Sequence, residues 1–102
     1  MAQFDLHRHA KRGLYPFLVD IQADLLAGLA TRVVVPLVPL RRYGTRPITR
    51  LNPLVAIGGR EHVVVVQELA AVPATALGAV VGSLAARRAD LLAALDLLLT
   101  GV

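Results

Sequence analysis

Leu54-Val55-Ala56-Ile57-Gly58-Gly59-Arg60-Glu61-His62-Val63-Val64-Val65-Val66 decides the fold class. Two apolar, β-branched runs flank a pair of glycines. Tight hairpin turns need positive φ at their centre, which Gly adopts without a Cβ clash. The spacing predicts strands over Leu54–Ile57 and Val63–Val66, joined by a turn over Gly58–Glu61. The four consecutive valines lack the alternation of a half-wet strand. They predict a strand covered on both faces.

Working outward, Thr31–Leu37 is β-branched and too short for a helix, so it reads as another strand. Pro36 and Pro39 place its end at a sheet edge, since proline donates nothing to a ladder. Pro16–Gln22 reads as a strand buried in its middle. Gln3–His9 alternates apolar and polar, which predicts a strand with one wet face. Lys11-Arg12-Gly13 reads as a turn and Ala27–Ala30 as a loop. Residues 39–53 hold three prolines, Gly44 and four arginines, which predicts a mobile basic loop. Ala70–Pro73 is expected to end the valine strand, and residues 76–82 to form a strand or turn.

The C-terminal segment has a different period. Leu91, Leu95, Leu98 and Leu99 recur at helical steps, with Arg87, Arg88, Asp90 and Asp96 between them. Ser83 is the expected N-cap of a helix starting near Leu84. Gly101 stands where a C-terminal helix glycine belongs. The expected order is therefore strands first, then one helix: mainly β with a C-terminal α-helix.

The chain has 102 residues, of which 56% are hydrophobic and 18% charged. This predicts one domain over residues 1–102. A core of that size is modest, and an apolar surplus favours a homo-oligomer. Without Cys, disulfide frameworks and thiolate metal sites are excluded. Nothing at Met1–Asp5 resembles a secretory signal, so the cytoplasm is expected. Leu69–Ala86 is 18 residues without a charge, but Pro73, Gly78 and Gly82 predict strand and turn, not a membrane span.

Charge is uneven. Residues 1–51 carry eight Lys/Arg against Asp5, Asp20 and Asp24, a net +5, whereas residues 52–102 carry −1. The excess centres on Arg41, Arg42, Arg46 and Arg50. Such a loop is simply solvated, or meets an acidic polypeptide, or meets phosphates. Tyr43 is its one stacking residue, which is thin for single-stranded nucleic acid, so no direct nucleic-acid binding is expected. Asp5, His7 and His9 would share a strand face as potential zinc ligands, with a solvated face as the plainer reading. No phosphate loop, nucleotide fingerprint or hydrolase elbow occurs, so neither a cofactor nor a catalytic residue is assigned.

Several segments together resemble the CcdB family of bacterial toxin–antitoxin toxins. They are Gln3-Phe4, Val19-Asp20-Ile21-Gln22-Ala23-Asp24, Arg32–Leu37, Pro53–Gly58, Ala71-Val72-Pro73 and the helix closing in Gly101-Val102. The resemblance implies an SH3-like β-barrel of the CcdB/MazF type, with an extra small antiparallel sheet and a C-terminal helix, paired as a homodimer. It implies a toxin that is not an enzyme and that binds and poisons the A subunit of DNA gyrase. It also implies a cognate antitoxin with a disordered acidic segment, which the Arg41, Arg42, Arg46 and Arg50 loop suits. The family's gyrase contacts lie in a Trp-Gly-Ile tail. The corresponding residues here are Thr100, Gly101 and Val102, with Asp96 and Leu99 beside them.

Thr100 replaces the Trp, Leu99 an aromatic and Asp96 an amide. Losing an interface Trp costs about 2 kcal/mol, or about 30-fold in affinity. Two alternatives therefore accompany the gyrase reading. One is an endoribonuclease toxin of the MazF type, with His7, His9, His62, Arg32 or Thr31 as candidates. The other is a relative that binds an antitoxin but no longer poisons gyrase.

Overall fold

The computed structural model describes residues 2–11, 13 and 15–102. Among the described residues, seven strands precede one α-helix: β1 (Asp5–His9), β2 (Phe17–Asp20), β3 (Thr31–Pro39), β4 (Leu54–Ile57), β5 (Arg60–Val64), β6 (Ala70–Pro73), β7 (Leu77–Ser83) and α1 (Arg88–Thr100). All pairings are antiparallel, in the order β4-β5-β3-β2-β1-β7, with β6 also on β3. This curled sheet with a terminal helix is the expected fold class.

The hairpin forms as predicted, with a tighter turn. Gly58 (φ 59°) and Gly59 (φ 78°) alone make it, and Ile57 pairs with Arg60. The second strand therefore starts at Arg60 and ends at Val64. Val63, Val64, Val65 and Val66 are all buried, as their unbroken apolar run requires.

β3 corrects one expectation. Its prolines do not mark a sheet edge, because β3 is the most central strand. One side pairs with β2. The other side is divided: Thr31–Val34 pairs with β6 and Leu37–Pro39 with β5. Pro36 sits at the seam between these two partners, and its carbonyl accepts the Val65 N–H at 2.9 Å. A residue without an N–H costs no ladder bond where one partner has ended and the next begins. β4 and β5 thus extend the same sheet from the second half of β3. Ala70–Pro73 is a separate strand, not the end of the valine strand.

β1 departs from the predicted alternation. Leu6 and His7 are both buried, because the β1–β7 register slips on both sides of His7. His7 is 1% exposed and donates from Nδ1 to the Gly78 carbonyl at 3.1 Å. Phe4, just before β1, has φ 68° and is buried in the core. The turn expected at Lys11–Gly13 includes Arg12, which lies outside the described residues.

The core lies between the concave sheet and α1. It gathers Phe4, Leu6, Val19, Val35, Leu37, Val55, Val64 and Val66 with Leu84, Leu91 and Ala94. The helix starts later than expected. Ser83 Oγ accepts the Ala85 N–H at 3.1 Å, but it opens a 3-10 turn over Ala85–Arg87, and α1 proper begins at Arg88. The uncharged stretch 69–86 becomes β6, β7 and short turns. Among the described residues, no helix is long and apolar enough to cross a membrane.

A second small cluster lies on the other face. Tyr15, Leu40 and Tyr43 cover Val38, Val63 and Val65. The Tyr15 hydroxyl donates to the Glu68 carboxylate, and this bond together with partial burial raises its pKa to about 12. Because the folded value exceeds the unfolded one of about 10, the contact stabilises fully below pH 10 and is lost between about pH 10 and 12. Spectrophotometric titration of a Tyr43→Phe variant should show a midpoint near 12. In Glu68→Gln it should fall towards 10.

Candidate functional site

The C-terminal tip follows from helix termination. Gly101 takes φ 79°, and its N–H closes on the Leu97 carbonyl at 3.0 Å. This left-handed residue ends α1 as its sequence position predicted. Leu92, Leu95 and Leu98 pack on the core. Leu99 and Val102 do not: they are 72% and 78% exposed. Asp96, Leu99 and Thr100 stand at i, i+3 and i+4, so they share one helix face. The Thr100 hydroxyl donates to the Asp96 carbonyl at 2.7 Å, which turns its polar group back onto the helix. The expected tail residues are therefore assembled as one exposed, largely apolar tip beside a carboxylate.

The basic residues form a second surface. Arg41 and Arg42 lie in a 3-10 turn, Leu40–Arg42, and Arg46 and Arg50 follow in the loop, all four exposed. Among the described residues none of the four is ion-paired. The loop base is fixed by Asn52. Its Oδ1 accepts the Ile48 N–H at 2.9 Å, and its Nδ2 donates to Gln67 Oε1 at 2.8 Å and to the Val64 carbonyl at 3.2 Å. Arg50 holds φ 73°, a conformation that costs a non-Gly residue about 1 kcal/mol. Arg41 also lines a cleft with Pro39, Leu40, Arg60 and Glu61.

The family model described as "CcdB protein" matches residues 3–101. The chain belongs to the CcdB family. It is thus a member of a family of toxins from toxin–antitoxin systems.

The segment Val19–Asp24, which carried part of the CcdB resemblance, has a structural role. Asp20 and Arg32 form a buried ion pair, 2.6 Å between Oδ2 and Nη2 and 2.9 Å to Nε. Asp20 Oδ1 accepts the Gln22 N–H at 3.0 Å. Gln22 in turn accepts the Val33 N–H and donates to the Leu26 carbonyl. Asp24 Oδ1 accepts the Gln3 N–H at 2.7 Å. This network anchors a short 3-10 turn, Asp24–Leu26.

That turn presents a feature the sequence reading missed. Leu25 is 94% exposed, and Leu26 and Leu29 are also open to solvent. Three leucines held outward within five residues form an apolar knob on a fixed base. The available signal was two leucines directly after the apolar–acidic–amide run, at positions that cannot follow β2 into the core.

The CcdB fold separates the ribonuclease candidates. His7 and His62 are buried, and each ring bonds a backbone carbonyl, Gly78 and Arg60 respectively. Arg32 is occupied by Asp20, whereas Thr31 is exposed at the start of β3. His9 Nδ1 accepts the Lys11 N–H at 3.0 Å. No two of these groups are joined as an acid–base pair. Asp5, His7 and His9 likewise do not converge, and among the described residues no group of three candidate ligands does. The β1 register slip is the cause, since it buries His7 while Asp5 and His9 stay at the surface.

Proposed function

We propose that the protein is a homodimeric, cytoplasmic toxin that binds the A subunit of DNA gyrase through Leu99, Thr100, Gly101 and Val102, with Asp96 at the margin. It acts by binding alone and catalyses nothing. The observation that carries this reading is the C-terminal tip: two apolar side chains held in water on either side of a glycine-capped helix end. Such a tip has no function in its own core, and it suits insertion into a partner's crevice. The helix supports the homodimer. α1 is apolar around most of its circumference, yet only Leu91 and Ala94 are fully buried, and a helix of that kind is stable when covered on more than one side. The unpaired Arg41, Arg42, Arg46 and Arg50 suit the acidic segment of a neutralising antitoxin.

One observation favours a second reading, a CcdB relative that binds antitoxin without poisoning gyrase. Thr100 offers no ring, and its hydroxyl is turned inward onto Asp96. Expression without antitoxin, followed by assay of gyrase–DNA cleavage complexes, separates the two. Under the first reading growth arrests, cleavage complexes accumulate, and deleting residues 100–102 abolishes both effects. Under the second, growth is normal at verified expression, and Thr100→Trp gains about 30-fold in affinity for the gyrase A subunit. If the wild-type protein and the Trp variant both fail to bind gyrase, both readings of the tip are wrong.

A further inference from the structure

A sheet that does not close leaves edges, and an edge strand presents unpaired N–H and C=O groups that attract another strand. Among the described residues the free edges are β4, the outer side of β6, and β7. Two of them are short or guarded. β6 has four residues and ends in Pro73, which lacks an N–H. β4 also has four residues, and Arg87 Nη1 donates to its Leu54 carbonyl at 2.8 Å, so a charged side chain lies along that edge.

β7 has no such guard. It runs for seven residues, Leu77–Ser83, without a charge or a proline. Only β1 pairs with it. From Ala79 to Ser83 every residue is exposed, and Val80 and Val81 are 54% and 41% open. Arg8 of β1 is turned the other way. It lies over the Phe17 ring of β2, 5.7 Å from guanidinium carbon to centroid.

The shape of the strand selects its occupant. The β1–β7 register shifts on both sides of the His7–Val80 pair, so β7 carries extra residues there. Such bulges re-aim side chains and sharpen the local twist, and they account for two successive valines both being open. A regular strand does not follow that twist, whereas an identical strand brings the same one.

The order of residues is also self-complementary. In an antiparallel pair centred on Val80, Val80 meets Val80 of the second copy, Ala79 meets Val81, Gly78 meets Gly82 and Leu77 meets Ser83. Valines face each other at the centre, and glycines face each other towards the ends. One row further back, Asp5 beside Ser83 lines up with His9 beside Leu77 of the other copy, so no carboxylate faces a carboxylate. A two-fold contact requires this property, because both partners use the same patch.

We propose that the free edge of β7 pairs antiparallel with β7 of a second copy, about a two-fold axis at Val80. Backbone hydrogen bonds join the two sheets into one, and Val80 and Val81 of each copy form a small apolar seam. The contact is separate from the homodimer proposed through α1 and does not rest on it. It links those dimers into larger assemblies. A single strand edge buries less than a standard interface, so this step belongs at high protein concentration.

Sedimentation velocity of the full chain, from micromolar to near-millimolar concentration, reads the step, and amide exchange reads β7. We expect a reversible second association, with slowed exchange within Ala79–Gly82. Val80→Lys sets like charges face to face and should weaken the step by about tenfold or more, with no change in melting temperature at low concentration. Val80→Glu should do the same. An equimolar mixture of the two variants should regain the step, because Lys then meets Glu. Should Val80→Lys melt lower than wild type, Val81→Lys mixed with Ala79→Glu gives the same test at the neighbouring pair. A wild-type protein that keeps one state over the whole range overturns the proposal, as does a step that Val80→Lys leaves unchanged. Loss in both single variants without recovery in the mixture also overturns the two-fold pairing. If the species below the step is a monomer, the α1 homodimer is wrong and the β7 pairing stands.

Discussion

Asp20→Ala is expected to lower the unfolding free energy by about 3–5 kcal/mol, the usual cost of leaving one member of a buried ion pair alone. Asp20 is fully buried, and Arg32 is 1% exposed. Removing the carboxylate leaves a guanidinium without water or a counter-charge. It also frees the Gln22 N–H, which Asp20 Oδ1 accepts. A domain of this size has about 5–15 kcal/mol in total, so the variant should melt far lower or fail to fold. The paired replacement Asp20→Ala/Arg32→Met is expected to recover most of the loss, since no uncompensated charge remains. Urea denaturation of the three proteins measures this. If Asp20→Ala unfolds at the wild-type midpoint, the pair is not a structural anchor. In a folded variant, the Asp24–Leu26 turn should lose amide protection first.

Gly78→Ala is expected to destabilise by about 3 kcal/mol, the upper end of the range for overpacking. Intrinsic preference points the other way, because Ala is favoured over Gly in a strand by about 0.5–1 kcal/mol. Geometry decides the sign. A Cβ at position 78 would lie 2.6 Å from the Arg8 carbonyl oxygen, and backbone cannot rotate aside as a long side chain can. β1 and β7 must part, which also breaks the His7–Gly78 bond. Gly82 is the control on the same strand. Its added Cβ would meet only Leu6 Cδ2, at 3.8 Å, so Gly82→Ala should be neutral or slightly stabilising. Equal melting temperatures for the two variants would disprove the close approach.

Much of the fold was legible because it depends on local rules. The Gly58-Gly59 turn needs positive φ, and only its residue types can supply that. The Val63–Val66 run has no polar face to leave in water. Gly101 ends a helix whose period is visible from Leu91 to Leu99. The tip was legible for the same reason: a helix that stops at Gly101 leaves Leu99 and Val102 beyond the core.

Other features depend on partners distant in the chain. Pro36 reads as an edge residue until β6 and β5 are seen to divide one side of β3 between them. His7 reads as a wet-face residue until β7, some seventy positions away in sequence, slips register against it. Ser83 looks like the cap of α1, yet Leu84 is tied by its N–H to the Phe4 carbonyl. That contact holds the chain at the sheet and delays the helix by one 3-10 turn.

By itself, then, the order of amino acids settled periodicity, turn chemistry and the sign of the charge on each half, because these are properties of neighbours. It could not settle which strand lies in the middle, which histidine is dry, or which leucines face outward at Leu25 and Leu26. Those follow from pairings between remote segments, where one register slip reassigns a side chain from water to core. The folded chain alone brings Asp20 to Arg32 and Arg8 to Phe17, and so decides which charges are structural and which remain free to meet a partner.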